Sequence, residues 1–221
     1  MAKTQYKIDL HSHSIISYDG GLTAKQYTKL LDLGILDCIA ITDHDETSFA
    51  RIMHDQLGGK IIVGEEIMTT DGEIIGLFLQ KTIPKGMSAI ETVEAIHEQD
   101  GIVYIPHLFE TLRKGLKLQT LEIIKEFIDI IEVFNGRSRF REKSQEAQSF
   151  ADSVQIATAS SSDAHCYKGA GTSFSIVKEI PERNSMIRLL KSGELQKKHA
   201  PLYTLLCPSV NKIKNKLVLG V

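Results

Sequence analysis

Short, strand-like runs rich in apolar residues recur along this 221-residue chain, and most of them lead to a histidine or a carboxylate. Tyr6 to Leu10 runs into His11-Ser12-His13, and Cys38-Ile39-Ala40-Ile41 into Thr42-Asp43-His44-Asp45. Lys60 to Val63 leads to Gly64-Glu65-Glu66, Gly101 to Ile105 to Pro106-His107, and Gln155 to Ala159 to Ser160-Ser161-Ser162-Asp163-Ala164-His165. A short apolar run without alternation fits a strand covered on both faces, as in a parallel sheet. Strands are also expected at 73–79, 129–134 and 173–177. Helical spacing falls between the runs, over 23–33, 48–57, 88–98, 121–127, 140–151 and 184–190. Ser88 and Glu91 form a capping box, and Asp45 reads as a helix N-cap. Repeated βα units of this kind build an α/β barrel or a doubly wound sheet. No glycine fingerprint follows the first strand, which counts against a dinucleotide fold.

Five of the eight histidines, His11, His13, His44, His107 and His165, directly follow an expected strand. In a parallel barrel the C-terminal strand ends converge on one face, where barrel active sites lie. Residues far apart in the sequence can therefore meet in one pocket. His11 and His13 alternate, so both rings share a strand face. Each cluster alone has a plain alternative: a polar loop, a helix cap or a solvated turn. Three clusters at three strand ends point instead to one site, and imidazole with carboxylate suits Zn, Mn or Fe. His54 and His97 fall inside helical patterns and His199 in a basic segment, where surface or capping roles are expected.

A hydrophobic fraction of 42% and a charged fraction of 24% are ordinary for a globular chain. The formal net charge of −2 rules out a strongly basic nucleic-acid coat. No apolar run approaches the roughly 20 residues of a membrane span, and the first residues carry no apolar leader. Cys38, Cys166 and Cys207 are few, odd in number and widely spaced, which reads as free thiols in a reducing compartment. A cytoplasmic protein without membrane partners is expected. Residues 194–221 hold five lysines and one acidic residue. They read as a basic C-terminal tail packed on the barrel or used in contacts, with 1–193 forming the barrel.

The ordered set His11-Ser12-His13, Asp19, Thr42-Asp43-His44, Gly64-Glu65-Glu66, Pro106-His107 and Ser162-Asp163-Ala164-His165 resembles the PHP (polymerase and histidinol phosphatase) superfamily. The match runs in order from about Lys7 to about Val177. Ile131 to Arg137 also resembles the small stand-alone PHP phosphoesterases. The resemblance implies a distorted (β/α)7 barrel with a trinuclear metal site. It implies His11, His13, Glu66 and Asp163 on one metal, and Asp19, His44 and His165 on a second. Glu66, Glu73 and His107 would hold a third, with Glu66 bridging. Glu73 departs from the pattern, since many relatives carry a histidine nearby; a carboxylate there is the harder ligand and favours Mn or Fe. The other reading of Glu73 is a solvent-facing strand residue. The chain also lacks the inserted domain of longer nucleotide-cleaving relatives, so the implied pocket is more open.

The implied activity is that of a metal-dependent phosphoric ester hydrolase, a phosphatase or phosphodiesterase, with two to three divalent ions (Mn, Zn or Fe). A metal-bridging hydroxide would attack phosphorus of a small phosphorylated substrate, a nucleotide among the candidates. Arg113, Arg137 and Arg139 lie in loops of the metal face and are candidates for phosphate, although each could be an ordinary surface arginine. Asp43 and Asp9 are candidates to orient metal-bound histidines. Two alternatives stay open: a nuclease of the same chemistry acting on oligonucleotides, and a metal hydrolase cleaving a C–N bond. The acidic balance and the lack of a basic groove weigh against long nucleic acid. The oligomeric state is not legible.

Overall fold

The alternation of apolar runs and amphipathic segments closes into a barrel. The computed structural model describes residues 3–110, 113–140 and 143–219. Strands β1 (Tyr6–Asp9), β2 (Cys38–Ile41), β3 (Ile61–Met68), β4 (Glu73–Leu77), β5 (Ile102–Ile105), β6 (Ile130–Asn135) and β7 (Ala157–Ser161) form the wall. β8 (Phe174–Val177) and β9 (Glu194–Gln196) extend it outside β1, in the order β7-β6-β5-β4-β3-β2-β1-β8-β9. The helices are α1 (Ala24–Asp32), α2 (Ser48–Leu57), α3 (Ala89–His97), α4 (Leu118–Ile124), α5 (Ser144–Val154), α6 (Met186–Lys191) and α7 (Cys207–Leu219).

The ends of β1 and β7 close the ring. Asp163 N donates to His11 O and His13 N to Ala164 O, each at 2.9 Å. The Asp9 carboxylate accepts from Ser162 N at 3.0 Å and Ser162 Oγ at 2.5 Å, tying the same seam. The distorted (β/α)7 barrel expected from the sequence is what forms, with two differences. β4 runs antiparallel to both β3 and β5, and β8 runs antiparallel to β1. The sheet is thus not uniformly parallel. The tight turn at Thr69–Gly72 supplies the reversal, with Thr69 Oγ1 donating to Gly72 O and Gly72 at φ 139°, where a side chain would be strained.

The strands read as continuous apolar runs because both of their faces are covered. Ile8, Cys38, Ala40, Ile62, Ile75, Tyr104 and Ile130 fill the interior, and α6 adds Met186, Leu189 and Leu190 to that cluster. Ile39, Ile41, Ile61, Val63, Val103 and Ile131 face outward onto Tyr27 and Leu30 of α1, Met53 of α2 and Val93 and Ile96 of α3. Both kinds of face are dry, so a strand flipped by one residue still buries apolar surface. The expected capping box at α3 is present, and Thr23 with Gln26 forms another at α1. Asp45 is not a cap: it sits at φ 55° and accepts Met68 N at 2.9 Å. Glu46 accepts the first amides of α2 instead. The segment read as a tail supplies β9 and α7.

Candidate metal centre

All the histidine and carboxylate candidates meet at one end of the barrel. His11 and His13 follow β1, His44 follows β2, Glu66 lies in β3, His107 follows β5, and Asp163 and His165 follow β7. Glu73 opens β4, and because that strand is reversed its beginning lies at the same end as the other strands' finish. Glu73 is buried, not solvent-facing, with Oε2 3.6 Å from His107 Nε2. Asp19 enters from the loop after β1, with Oδ1 3.5 Å from His44 Nε2 and 3.4 Å from His165 Nε2.

The spacing of these atoms is that of a coordination shell. His11 Nε2 and His13 Nε2 are 3.1 Å apart. Each also faces Glu66 Oε2, at 3.4 and 3.3 Å, and Asp163 Oδ1, at 3.7 and 3.4 Å. Four ligands at tetrahedral corners about 2.1 Å from an ion stand roughly 3.4 Å from one another. His44 Nδ1 lies 3.2 Å from Glu66 Oε2 yet makes no hydrogen bond. Glu66 Oε1 is 3.0 Å from His107 Nε2, so its two oxygens face different histidines, as a bridging carboxylate requires. Four triads can each surround an ion: His11, His13 and Asp163; His13, His44 and His165; His11, Glu66 and His107; and His44, Glu66 and Glu73.

The electrostatics favour positive charge on the cavity floor. Burial alone would lower the pKa of His13, but Asp163 and Glu66 push it up to about 9. Burial likewise opposes protonation of His11, yet Asp163, Glu66 and Glu132 hold its pKa well above the usual value. Burial would raise Glu66 and Asp163, but their cationic neighbours keep both carboxyls well below the ordinary range. His44 is driven the other way, down to about 4, chiefly by burial. A proton and a metal ion compete for the same nitrogens at such a site. Backbone geometry is bent toward the same end: His107 and Asp163 sit at φ 32° and 50°, an uncommon region kept where side-chain direction matters.

The supporting residues are in part those that sequence reasoning passed over. Glu132 of β6 is buried and accepts four hydrogen bonds. Its Oε1 takes His11 Nδ1 at 3.2 Å and Tyr104 Oη at 2.9 Å; its Oε2 takes His107 N at 2.7 Å and Asn135 Nδ2 at 2.9 Å. That bond sets Nδ1 of His11 as the protonated nitrogen and leaves Nε2 free toward the cluster. The signal was a single charge inside Ile130-Ile131-Glu132-Val133-Phe134, since a buried charge needs partners. Asp43 holds Ser14 N at 2.6 Å and Ser14 Oγ at 2.5 Å, and Asp9 holds Ser162; both position backbone next to the histidines and bond to no imidazole.

A cavity of about 250 Å³ opens above the cluster, with Arg113, Lys114, Arg137 and Lys212 around it. Arg113 Nη1 donates to Asp163 Oδ2 at 2.5 Å and Asn135 Oδ1 at 2.8 Å. Arg137 Nη1 lies 3.2 Å from Asp163 Oδ1 and 2.9 Å from His165 Nδ1. Arg139 does not reach the cavity; its Nη1 donates to Ala200 O at 3.3 Å, because the chain after Arg137 turns toward the C-terminal segment.

Barrel and reversed fourth strand together make a PHP-type fold. The chain is 33% identical over 181 residues to the uncharacterized protein MJ0417 of Methanocaldococcus jannaschii, covering 76% of this chain and 69% of that one. No family model matches. Among solved structures, it is similar to a two-domain protein from Bacteroides vulgatus containing a predicted PHP-like metal-dependent phosphoesterase. That match has a TM-score of 0.70 and 19% identity, over 95% of this chain and 70% of the other. It is also similar to the lesion-specific endonuclease EndoQ of Pyrococcus furiosus, with a TM-score of 0.63 and 16% identity, over 86% of this chain and 57% of that one. The chain belongs to one family with the archaeal protein MJ0417, and its fold is that of the PHP-type barrels.

Proposed function

We propose that this protein is a metal-dependent phosphoesterase acting on a small phosphorylated molecule. One observation carries the reading: imidazole and carboxylate donors at coordination spacing lie beneath a small cavity ringed by Arg113, Lys114, Arg137 and Lys212. Cations over an acidic, metal-ligating floor suit a phosphate ester, whose oxygens can be shared between ions below and guanidinium groups above. His11, His13, Glu66 and Asp163 would hold one ion, Asp19, His44 and His165 a second, and Glu66, Glu73 and His107 a third. Divalent ions so bound supply an activated water near neutral pH and neutralise charge on phosphoryl oxygens. With its carboxylate, the third position suits Mn or Fe better than Zn.

The residues of the chain do the rest. Glu132 fixes the His11 ring with Nε2 toward the cluster. Arg137 and Arg113 stand on either oxygen of Asp163, where a fork of N–H groups meets the phosphate as it enters. A volume of about 250 Å³ admits a phosphoryl group with a modest leaving group, slightly below the usual span of ligand pockets. A second reading, cleavage of oligonucleotides, draws on α7, which lines the cavity with Lys212 and also carries Lys214 and Lys216. The net charge of −2 weighs against it.

Elemental analysis of the purified protein, with His11→Ala and Asp163→Ala beside it, tests the metal content. Two to three ions per chain, largely lost in both variants, are expected. A chromogenic phosphate monoester, a mononucleotide and a labelled oligonucleotide, assayed with Mn, Fe or Zn, then separate the two readings. Absence of bound metal after reconstitution, or no cleavage of any ester, would overturn the proposal.

A further inference from the structure

The α7 helix carries a charge to the cavity that the ligand set does not use. Asn211 Nδ2 donates to Asp19 O and His165 O, both at 2.9 Å, and Asn215 Nδ2 donates to Tyr18 O at 3.2 Å. Asn211 and Asn215 stand one turn apart, so a single helix face clasps the two loops that deliver Asp19 and His165. Gly21 makes the approach possible: a Cβ there would lie 2.7 Å from Asn211 Nδ2. Next to this clasp, Lys212 lines the cavity. Its Nζ lies 3.9 Å from Asp19 Oδ2 and 4.8 Å from the centre of the Tyr18 ring, which in turn stacks on His44. Among the described residues the ammonium group has no hydrogen-bond partner, and its side chain is 48% exposed.

The other cations are placed differently. Arg113 and Arg137 both stand on Asp163, which faces Nδ1 of His165 at 3.3 Å. Asp19 faces Nε2 of the same ring at 3.4 Å. Lys212 therefore stands on the Asp19 side of the site and the arginines on the Asp163 side. Arg137 Nη1 reaches both nitrogens of the His165 ring, at 2.9 and 3.3 Å, and each arginine has its Nη1 engaged, whereas the lysine N–H donors are uncommitted among the described residues. Asp19 is also a candidate ligand, and a carboxylate shared with an ion attracts an ammonium less. We propose that Lys212 is a substrate-binding residue: its ammonium binds a phosphoryl oxygen from the Asp19 side, while Arg113 and Arg137 reach the phosphate from the Asp163 side. This rests on the phosphoesterase reading and deepens it, because a phosphoryl group gripped from two sides must present at least two free anionic oxygens to the rim. A terminal phosphate monoester does so best.

Lys212→Met and Lys212→Arg test this in the full chain loaded with manganese, using inorganic phosphate binding by calorimetry and steady-state hydrolysis of 4-nitrophenyl phosphate. Lys212→Met should bind phosphate about tenfold or more weakly and raise KM in parallel, with kcat changed much less. Lys212→Arg should restore most of both, and metal content and far-UV circular dichroism should match the wild type. Unchanged phosphate affinity in Lys212→Met overturns the inference. So does a variant whose only defect is lost metal or a lower melting temperature, the signature of a purely structural lysine. If the wild type itself neither binds phosphate nor cleaves esters, the phosphoesterase reading falls, and that result is read before any variant is made.

Discussion

Glu132→Gln is the sharpest single perturbation of the site, because glutamine keeps the shape and removes one acceptor oxygen. In the native protein each carboxylate oxygen accepts two hydrogen bonds. A glutamine can turn its NH2 toward His107 N and Asn135 Nδ2, or toward His11 Nδ1 and Tyr104 Oη. The first choice leaves a buried backbone amide facing another donor, at about 1–3 kcal/mol. The second has a way out. Tyr104 can donate to Ser161 Oγ, 2.8 Å away, and His11 can move its proton to the other nitrogen. The cheaper arrangement therefore places hydrogen on Nε2 of His11, the atom that faces His13, Glu66 and Asp163. A protonated nitrogen cannot ligate. Losing the partner of a ligating histidine usually weakens metal binding about 10- to 100-fold, or roughly 1.4–2.7 kcal/mol. Competition of wild type and variant against a chromophoric chelator reads this directly, with thermal melting of the metal-free proteins as the control for folding. A correctly folded Glu132→Gln that holds metal within twofold of the wild type would refute the reasoning.

Three further outcomes are expected. Chelation should destabilise the protein: an ion at a hundred times its Kd contributes ~2.7 kcal/mol, so EDTA should lower Tm by about 5–10 °C, and an unchanged Tm would argue against a bound ion. Glu65 is buried, its Oε2 accepts Ile83 N at 2.9 Å, and burial pushes its carboxyl up to about 8. The folded state then keeps a proton that the unfolded chain loses above pH 4.5, so stability falls as pH rises from about 4.5 to 8, by ~5 kcal/mol at most. Glu65→Gln should flatten that loss in denaturant melts from pH 5 to 9, and parallel pH slopes would contradict it. Arg137→Ala should reduce phosphate-ester kcat/KM about 10- to 100-fold, while Arg139→Ala, whose guanidinium meets Ala200 O, should leave it within about twofold. Equal losses in both variants would mean that Arg139 also reaches substrate.

The histidines after β1, β2, β5 and β7 were legible because parallel strands deliver their C-terminal ends to one face, whatever lies between them. Glu73 was legible as a candidate, but its route to the site was not. Nothing in the sequence around Asp71-Gly72 says that β4 runs backwards, which depends on its pairing with both β3 and β5. Glu132 was hidden inside an apolar run because three of its four partners, His11, Tyr104 and His107, come from the ends of other strands. α7 was illegible for another reason: its pattern is inverted. Leu206 just before it, and Val210 and Ile213 within it, are exposed, whereas Asn211 and Asn215 bond to the loops beneath. A reading that places apolar residues inward assigns such a helix to no face. Asp45 failed as a cap because its backbone is left-handed and its carboxylate is taken by Met68 N.

The seam between β1 and β7 has a consequence for how the protein is made. The groups that join there, Asp9 and Ser162, are separated by 153 residues, and the same seam carries His11, His13, Asp163 and His165. During synthesis the first strand leaves the ribosome with only two imidazoles to offer, and the carboxylate and ring that complete the cluster arrive some 150 residues later. Pairing across so long a loop is among the slowest events of folding. The growing chain therefore cannot assemble the donor groups that use Asp163 or His165 until almost the whole barrel has emerged and its two ends have met. A chain cut short before β7 would be an open sheet that keeps Glu66, Glu73 and His107 but lacks the Asp163 and His165 that join His11, His13 and His44.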